Sequence, residues 1–393
     1  MSRRGIDPVI FSCALGLMAF GIVMVYSTSH ILALDRYGDQ YHFVKRHIMW
    51  VGIGVVSMLL AARVDIRSFR PLAFPVFVLS AVGLLMVFIP GIGREAGGAR
   101  RWISLGPMSV QPAEFAKFGL AFFLAHFLSV KGERLKDFKY GFLPSAMFTG
   151  LVLVLVLAQP DLGTAILIAA VAGMMLFLAG ARWLHLVGCA LLASPVLYWM
   201  IFAVPWRKQR ILAFLDPLNS AQDTGYQLFQ SLIGMARGGI TGMGLGEGKQ
   251  KLFYLPEAHT DFIYSVVGEE LGLLGGLAVA AVFAVILYRG LSVASRCKDS
   301  FSALLAVGVT LLITLQSLIN MSVASGLVPT TGVPLPLISL GGSSLVMSLT
   351  ALGVLLSIAS GSGAGIPKRR NSVGANSENG QGLRVAWSSG GGR

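Results

Sequence analysis

The sequence predicts an all-α polytopic membrane protein of about ten transmembrane helices, with both termini cytoplasmic. Three observations carry that expectation. Of 393 residues, 55% are hydrophobic and only 12% charged, about half the charged share of a soluble domain, and the mean hydropathy is +0.74. The apolar residues gather into ten runs of spanning or near-spanning length. The basic residues then divide unevenly between the two sets of connectors. A large soluble enzyme and a disordered chain both fit this composition poorly.

The runs follow in order. The first, about 9–28, comes after Ser2, Arg3 and Arg4 and begins like a signal peptide. It is too long for one, lacks a small-residue cleavage site before Tyr26-Ser27-Thr28, and precedes further spans, so it reads as a retained helix. Runs at about 47–62, 71–90, 113–130, 141–158, 162–180 and 184–204 come next, and 262–288, 301–325 and 338–358 complete the set. Roughly 20 apolar residues cross a bilayer, and the Gly and Pro inside these runs are tolerated in membrane helices. Residues 1–358 read as one transmembrane domain. From Ser360 the chain turns Gly/Ser/Asn-rich, so 359–393 reads as a disordered cytoplasmic tail.

Charge sets the orientation. With the N-terminus inside, the inner segments hold 18 basic residues, among them Arg63, Arg67, Arg70, Lys131, Arg134, Arg289 and Lys368-Arg369-Arg370. The outer segments hold 12, and Lys117 lies within the fourth run. Short connectors enriched in Lys and Arg belong inside. The formal charge of +13 is therefore no sign of a nucleic-acid partner, since the charges are sparse and broken up by apolar runs. Cys13, Cys189 and Cys297 are scattered and offer no disulfide or metal framework.

The outer loops 91–112 and 205–261 are where chemistry is expected. Asp261 stands directly before the eighth run. There a carboxylate is partly desolvated, which makes it a better proton acceptor; the competing reading is a helix cap. His259 is either a loop hydrogen-bonder or a ligand, and Glu257 either a second acid or a solvated charge. Glu269 and Glu270 lie inside the eighth run, where ionisable groups face a cavity or a partner, and Lys117 is the partner nominated. Glu114 and Lys117 are three apart and can pair on one helix face; an internal ion pair and a substrate contact stay equally open. Arg100-Arg101-Trp102 places two arginines and an indole at the outer surface, suited to phosphate binding or to interfacial anchoring. Arg207, Lys208, Arg210, Lys249 and Lys251 add to that positive field. Gly242-Met243-Gly244-Leu245-Gly246 lacks the strand–turn–helix setting of a nucleotide loop. Pro329, Pro334 and Pro336 with Gly341-Gly342-Ser343-Ser344 predict a broken or re-entrant segment before the last span, beside an outward-opening cavity.

Several separated motifs resemble the SEDS family (FtsW, RodA, SpoVE) across about residues 8–358. They are Leu255-Pro256-Glu257-Ala258-His259-Thr260-Asp261-Phe262-Ile263 with Gly268-Glu269-Glu270-Leu271-Gly272, Arg101-Trp102-Ile103 with Gln111-Pro112-Ala113-Glu114-Phe115-Ala116-Lys117, Gln159-Pro160-Asp161-Leu162-Gly163-Thr164, and Pro334-Leu335-Pro336-Leu337-Ile338-Ser339. Gly225-Tyr226-Gln227, Gln230-Ser231-Leu232-Ile233 and Gln250-Lys251-Leu252 look more like the cell-division branch than the elongation branch. Ala236-Arg237, Thr331 and Leu340 depart from the family pattern. The resemblance implies a peptidoglycan glycosyltransferase that polymerises lipid II at the outer face of the cytoplasmic membrane, at the division septum. It implies Asp261 as the essential carboxylate. Arg101, Glu114, Lys117, Lys249, Glu257 and His259 are the candidate substrate-binding residues, with Arg101, Lys117 and Lys249 expected to stabilise the pyrophosphate. Partners would be a monofunctional class B penicillin-binding protein acting as transpeptidase, and other divisome proteins. The metal requirement stays open, with Mg2+ or Mn2+ as an alternative source of positive charge. A lipid II flippase and an elongation-type enzyme are the alternative readings.

Overall fold

In a computed structural model, which describes residues 7–96, 98–106, 108–217, 225–251, 255–256 and 258–362, long apolar helices run back and forth beside one another. α1 (Pro8–Tyr37) starts where the Asp7 carboxylate accepts from the Val9 and Ile10 amides. It stops at Gly38, whose left-handed backbone returns its N–H to the Leu34 carbonyl. α2 (His42–Arg63), the one-turn α3 (Ile66–Phe69) and α4 (Ala73–Met86) follow, then strands β1 (Gly93–Ala96), β2 (Ala99–Leu105) and β3 (Met108–Val110). α5 (Pro112–Lys131), α6 (Leu143–Ala158), α7 (Leu162–Leu178) and α8 (Trp183–Phe202) come next. α9 (Pro205–Leu215) and α10 (Tyr226–Gly238) lead to α11 (Ile263–Arg296), α12 (Ser300–Ala324) and α13 (Gly342–Ser362).

Among the described residues, eight helices are long and apolar enough to cross a membrane, and Arg70–Met86 and Leu162–Leu178 are shorter apolar helices. Together they coincide with the ten expected runs, and the protein is a polytopic membrane protein. α5 and α12 are largely buried at the centre, whereas no residue of α8 is buried. With no hydrophobic force between helices in lipid, close packing at small residues holds them together. α13 lies along α2, with Gly353 so near the Met58 carbonyl that a Cβ would not fit.

Two features were not anticipated. The loop 91–112 is not plain connector: it carries a three-stranded antiparallel sheet in the order β1-β2-β3, with Ile103 opposite both Gly93 and Val110. Gly98 and Gly106, at φ +74° and +64°, make its turns. Strands this short leave too little alternation to stand out beside ten apolar runs. The second feature is a break in α11 at Gly272 (φ +68°, ψ −166°). A strap at 239–244 supplies hydrogen bonds around the break: Met243 and Gly244 donate to the Glu269 and Glu270 carbonyls at 3.0 Å, and Leu273 donates to Gly239 at 2.9 Å. Irregular backbone inside a membrane protein needs such internal partners.

The connectors α1–α2, α4–α5, α6–α7, α8–α11 and α12–α13 meet at one end. There Phe43 packs on His259, Arg101 donates to the Gln159 carbonyl, Gln111 to the Ser343 hydroxyl, and Arg210 to the Thr330 carbonyl. At the opposite end Asp7 pairs with Arg289 and Ser357 bonds the Val64 carbonyl. The tail from 363 onward and Glu257 lie outside the described residues.

Candidate functional site

Asp261 sits in the turn just before α11, half-buried, and Phe262 rather than Asp261 occupies the cap position. The Asn320 side-chain amide on α12 donates to the Asp261 carbonyl at 2.7 Å and to the Val333 carbonyl at 2.8 Å. A Cβ on Gly332 would lie 3.5 Å from the Asp261 carboxylate. Next to it, the Ser339 hydroxyl donates to the Thr260 carbonyl at 2.6 Å and the Leu340 amide to the His259 carbonyl at 3.0 Å. The Pro-rich stretch between α12 and α13, expected as a broken segment, is thus the platform that holds the Asp261 turn. His259 is buried with its ring 5.0 Å from Phe43. Among the described residues no three His, Cys, Asp or Glu side chains gather to hold a metal.

The structure sorts the expected cations by what they already hold. Arg101 is half-buried on β2; its Nε donates to the Gln159 carbonyl at 3.0 Å and its Nη2 to the Pro160 carbonyl. Arg100, one step along the strand, leans the other way to Glu95 at 3.8 Å. Period-2 alternation separates two arginines that sequence had read as a pair. Lys117 is buried on α5, 2.8 Å from Glu114 and 2.7 Å from the Gln316 amide oxygen, with Gln316 in turn donating to the Pro334 carbonyl at 2.9 Å. This is the internal ion pair, tied through Gln316 to the platform under Asp261. Lys249 is exposed. On α9, Arg207 is buried and donates to the Met200 carbonyl at 3.1 Å, while Arg210 reaches the Thr330 carbonyl at 3.5 Å. Desolvation holds both guanidinium pKa values below the ordinary arginine range. Nearby Arg101 adds to that, and Asp261 offsets it at Arg210.

Glu269 and Glu270 do not meet Lys117, contrary to expectation. Glu270 accepts from Lys251 at 2.9 Å and from the Ser27 hydroxyl at 2.6 and 2.8 Å; Glu269 accepts from the Lys249 and Gln250 amides at 2.9 and 3.2 Å. Spacing along one helix cannot tell which neighbour a buried acid will find. Here the strap folds back onto α11 and brings Lys251 to it. Asp161 accepts from the Thr164 amide and hydroxyl at the start of α7, and from Gln111 at 3.4 Å. Sequence reasoning passed over Gln316 and Asn320. Two amides four residues apart in an otherwise apolar run mark one helix face, which was the available signal.

The chain matches the FtsW/RodA/SpoVE family of cell cycle proteins over residues 7–363. It is 45% identical over 352 residues to a probable peptidoglycan glycosyltransferase FtsW of Geobacter metallireducens, covering 90% of this chain and 94% of that protein. It is 38% identical to stage V sporulation protein E of Bacillus subtilis, covering 90% and 96%. Among solved structures it resembles a chain of a peptidoglycan synthase complex described as coordinating polymerization and crosslinking (TM-score 0.75, 29% identity, 91% of this chain and 98% of that one). It also resembles the rod shape determining protein RodA of Thermus thermophilus (TM-score 0.66, 27% identity, 90% and 97%). The helix count, the broken segment under Asp261 and these matches agree: the chain belongs to the FtsW/RodA/SpoVE family.

Proposed function

We propose that this protein is a peptidoglycan glycosyltransferase that polymerises lipid II at the outer face of the cytoplasmic membrane, with both termini inside. The observation that carries the reading is Asp261, half-buried at the mouth of α11 and held through its backbone by Asn320, with Arg210 close enough to share its field. The reaction joins the 4-hydroxyl of one GlcNAc to the anomeric carbon of a MurNAc and displaces undecaprenyl pyrophosphate. The forming bond needs a base for the hydroxyl proton, and Asp261 takes that role. The departing pyrophosphate needs positive charge rather than a proton donor, because it is already a good leaving group. Single-displacement inversion then needs no second carboxylate as nucleophile. That agrees with Glu114, Asp161, Glu269 and Glu270 all being engaged in structural bonds. Lys117 and Glu114 support the platform, and Arg101 clasps the α6–α7 corner; Lys249 and Glu257 are assigned to substrate binding on position in the loop. The described residues form no protein cage for a divalent cation. An ion such as Mg2+ would arrive on the substrate's phosphates, as magnesium commonly does.

The names of the relatives favour the division role at the septum, with a transpeptidase as working partner. The clustering of charged groups at one end of the bundle, rather than at mid-depth, favours polymerisation over flipping. Asp261→Asn in the purified protein with its transpeptidase should abolish glycan strands while the protein stays folded. Normal strands from that variant would refute the assignment. Depletion giving filaments supports division; rounded cells would move the role to elongation.

A further inference from the structure

We infer that Arg210, on the amphipathic helix α9, is the guanidinium that binds the diphosphate of the lipid-linked substrate; this rests on the polymerase reading above. The other cations near this end of the bundle are already engaged or lie apart from Asp261. Lys117 and Lys251 are buried and held by Glu114 with Gln316 and by Glu270 with Ser27. Arg101 gives Nε and Nη2 to two backbone carbonyls, so its fork is turned to the protein. Arg207 is buried on the Met200 carbonyl. Lys249 is exposed, yet nothing among the described residues ties it to the surroundings of Asp261.

Arg210 differs on each count. It is an exposed residue with a partly desolvated guanidinium, and its hydrogen bond among the described residues is a long one, 3.5 Å to the Thr330 carbonyl. That contact sets it two residues from Gly332, the glycine facing the Asp261 carboxylate. The Trp206 ring centroid lies 5.2 Å from the guanidinium carbons of both Arg207 and Arg210, within cation–π range, and of the two only Arg210 is exposed. A stacked guanidinium keeps its edge N–H groups for an anion, and a two-pronged edge matches phosphate oxygens better than an ammonium does. Asp261 and Arg210 would then face the two ends of the bond exchange, one taking the hydroxyl proton and the other the charge of the departing diphosphate. Pyrophosphate leaves with the electron pair of the broken anomeric C–O bond, and Arg210 keeps its proton throughout.

The test is steady-state polymerisation of lipid II by the full chain with its transpeptidase partner, comparing wild type with Arg210→Met, Arg210→Lys and the helix control Gln209→Ala. A charge-assisted hydrogen bond lost from the reacting complex lowers kcat/KM about 10- to 150-fold. Arg210→Met should show that loss with an unchanged melting temperature, Arg210→Lys should recover part of it, and Gln209→Ala should stay at wild-type rate. Product inhibition by undecaprenyl pyrophosphate should weaken in Arg210→Met by a similar factor. Arg210→Met matching wild type in both rate and product inhibition overturns the inference alone. So does an equal loss in Gln209→Ala. Wild-type protein that makes no glycan removes the polymerase reading and this inference with it.

Discussion

Lys251→Met tests whether the segment that follows the strap is anchored to α11 through a buried charge pair. The Lys251 and Glu270 side chains are 3% and 0% exposed, and they meet at 2.9 Å. Removing one partner of such a pair leaves an uncompensated buried charge and costs about 3–5 kcal/mol. Ser27→Ala removes a hydroxyl donor to the same carboxylate, a charge-assisted bond of about 1.5–3 kcal/mol, and should fall below Lys251→Met in the series. Lys251→Met with Glu270→Leu removes both charges, and an apolar replacement of a buried pair is often neutral or stabilising. The double variant should therefore recover most of the loss. Denaturant unfolding in detergent across this double-mutant cycle gives the coupling directly, expected at about 2 kcal/mol or more for contacting residues. Additive losses, or a Lys251→Met protein within about 0.5 kcal/mol of wild type, the range of ordinary surface changes, would refute the reasoning.

Two further outcomes follow from the same structure. Asn320→Leu strips the shared donor from the Asp261 and Val333 carbonyls, at a cost of about 1–3 kcal/mol for each acceptor left unsatisfied; glycan synthesis should fall more steeply than the unfolding midpoint, and equal falls would assign Asn320 to stability alone. In the α1–α2 connector, the hydrogen bond from Lys45 and then that from the Tyr41 amide hold the Asp39 carboxyl below its ordinary pKa. A lowered folded value means the contribution is present above the ordinary carboxylate range and is lost as pH falls through the lowered value. A carboxyl NMR titration should show that depressed midpoint, and Lys45→Ala should move it only part of the way back, since the Tyr41 amide still donates to the carboxylate.

Much of the architecture was legible in the chain because each spanning helix satisfies its own backbone and must be apolar along its length. The ten runs therefore stood out one by one. Their exact ends did not: α13 begins at Gly342, four residues later than the run suggested, because Pro334 and Pro336 hold the preceding segment out of helix. The β1–β3 sheet was hidden because its strands carry too few residues for a periodic signal. Asp261 was legible as a carboxylate at a helix mouth, with two roles open.

Local order, hydrophobic length and the Glu114–Lys117 spacing were determined by the sequence itself, since each depends on residues within a turn or a span of one another. The partners of buried charges were decided only by the tertiary structure. Lys251 reached Glu270 because α11 breaks at Gly272 and a strap folds back there. Arg100 and Arg101 parted because a strand turns neighbours to opposite faces. Arg210 reached the Thr330 carbonyl because α9 and the α12–α13 segment meet at one end of the bundle. The Lys251–Glu270, Arg101–Gln159 and Arg210–Thr330 contacts join residues 19, 58 and 120 positions apart, and no spacing along the chain encodes them.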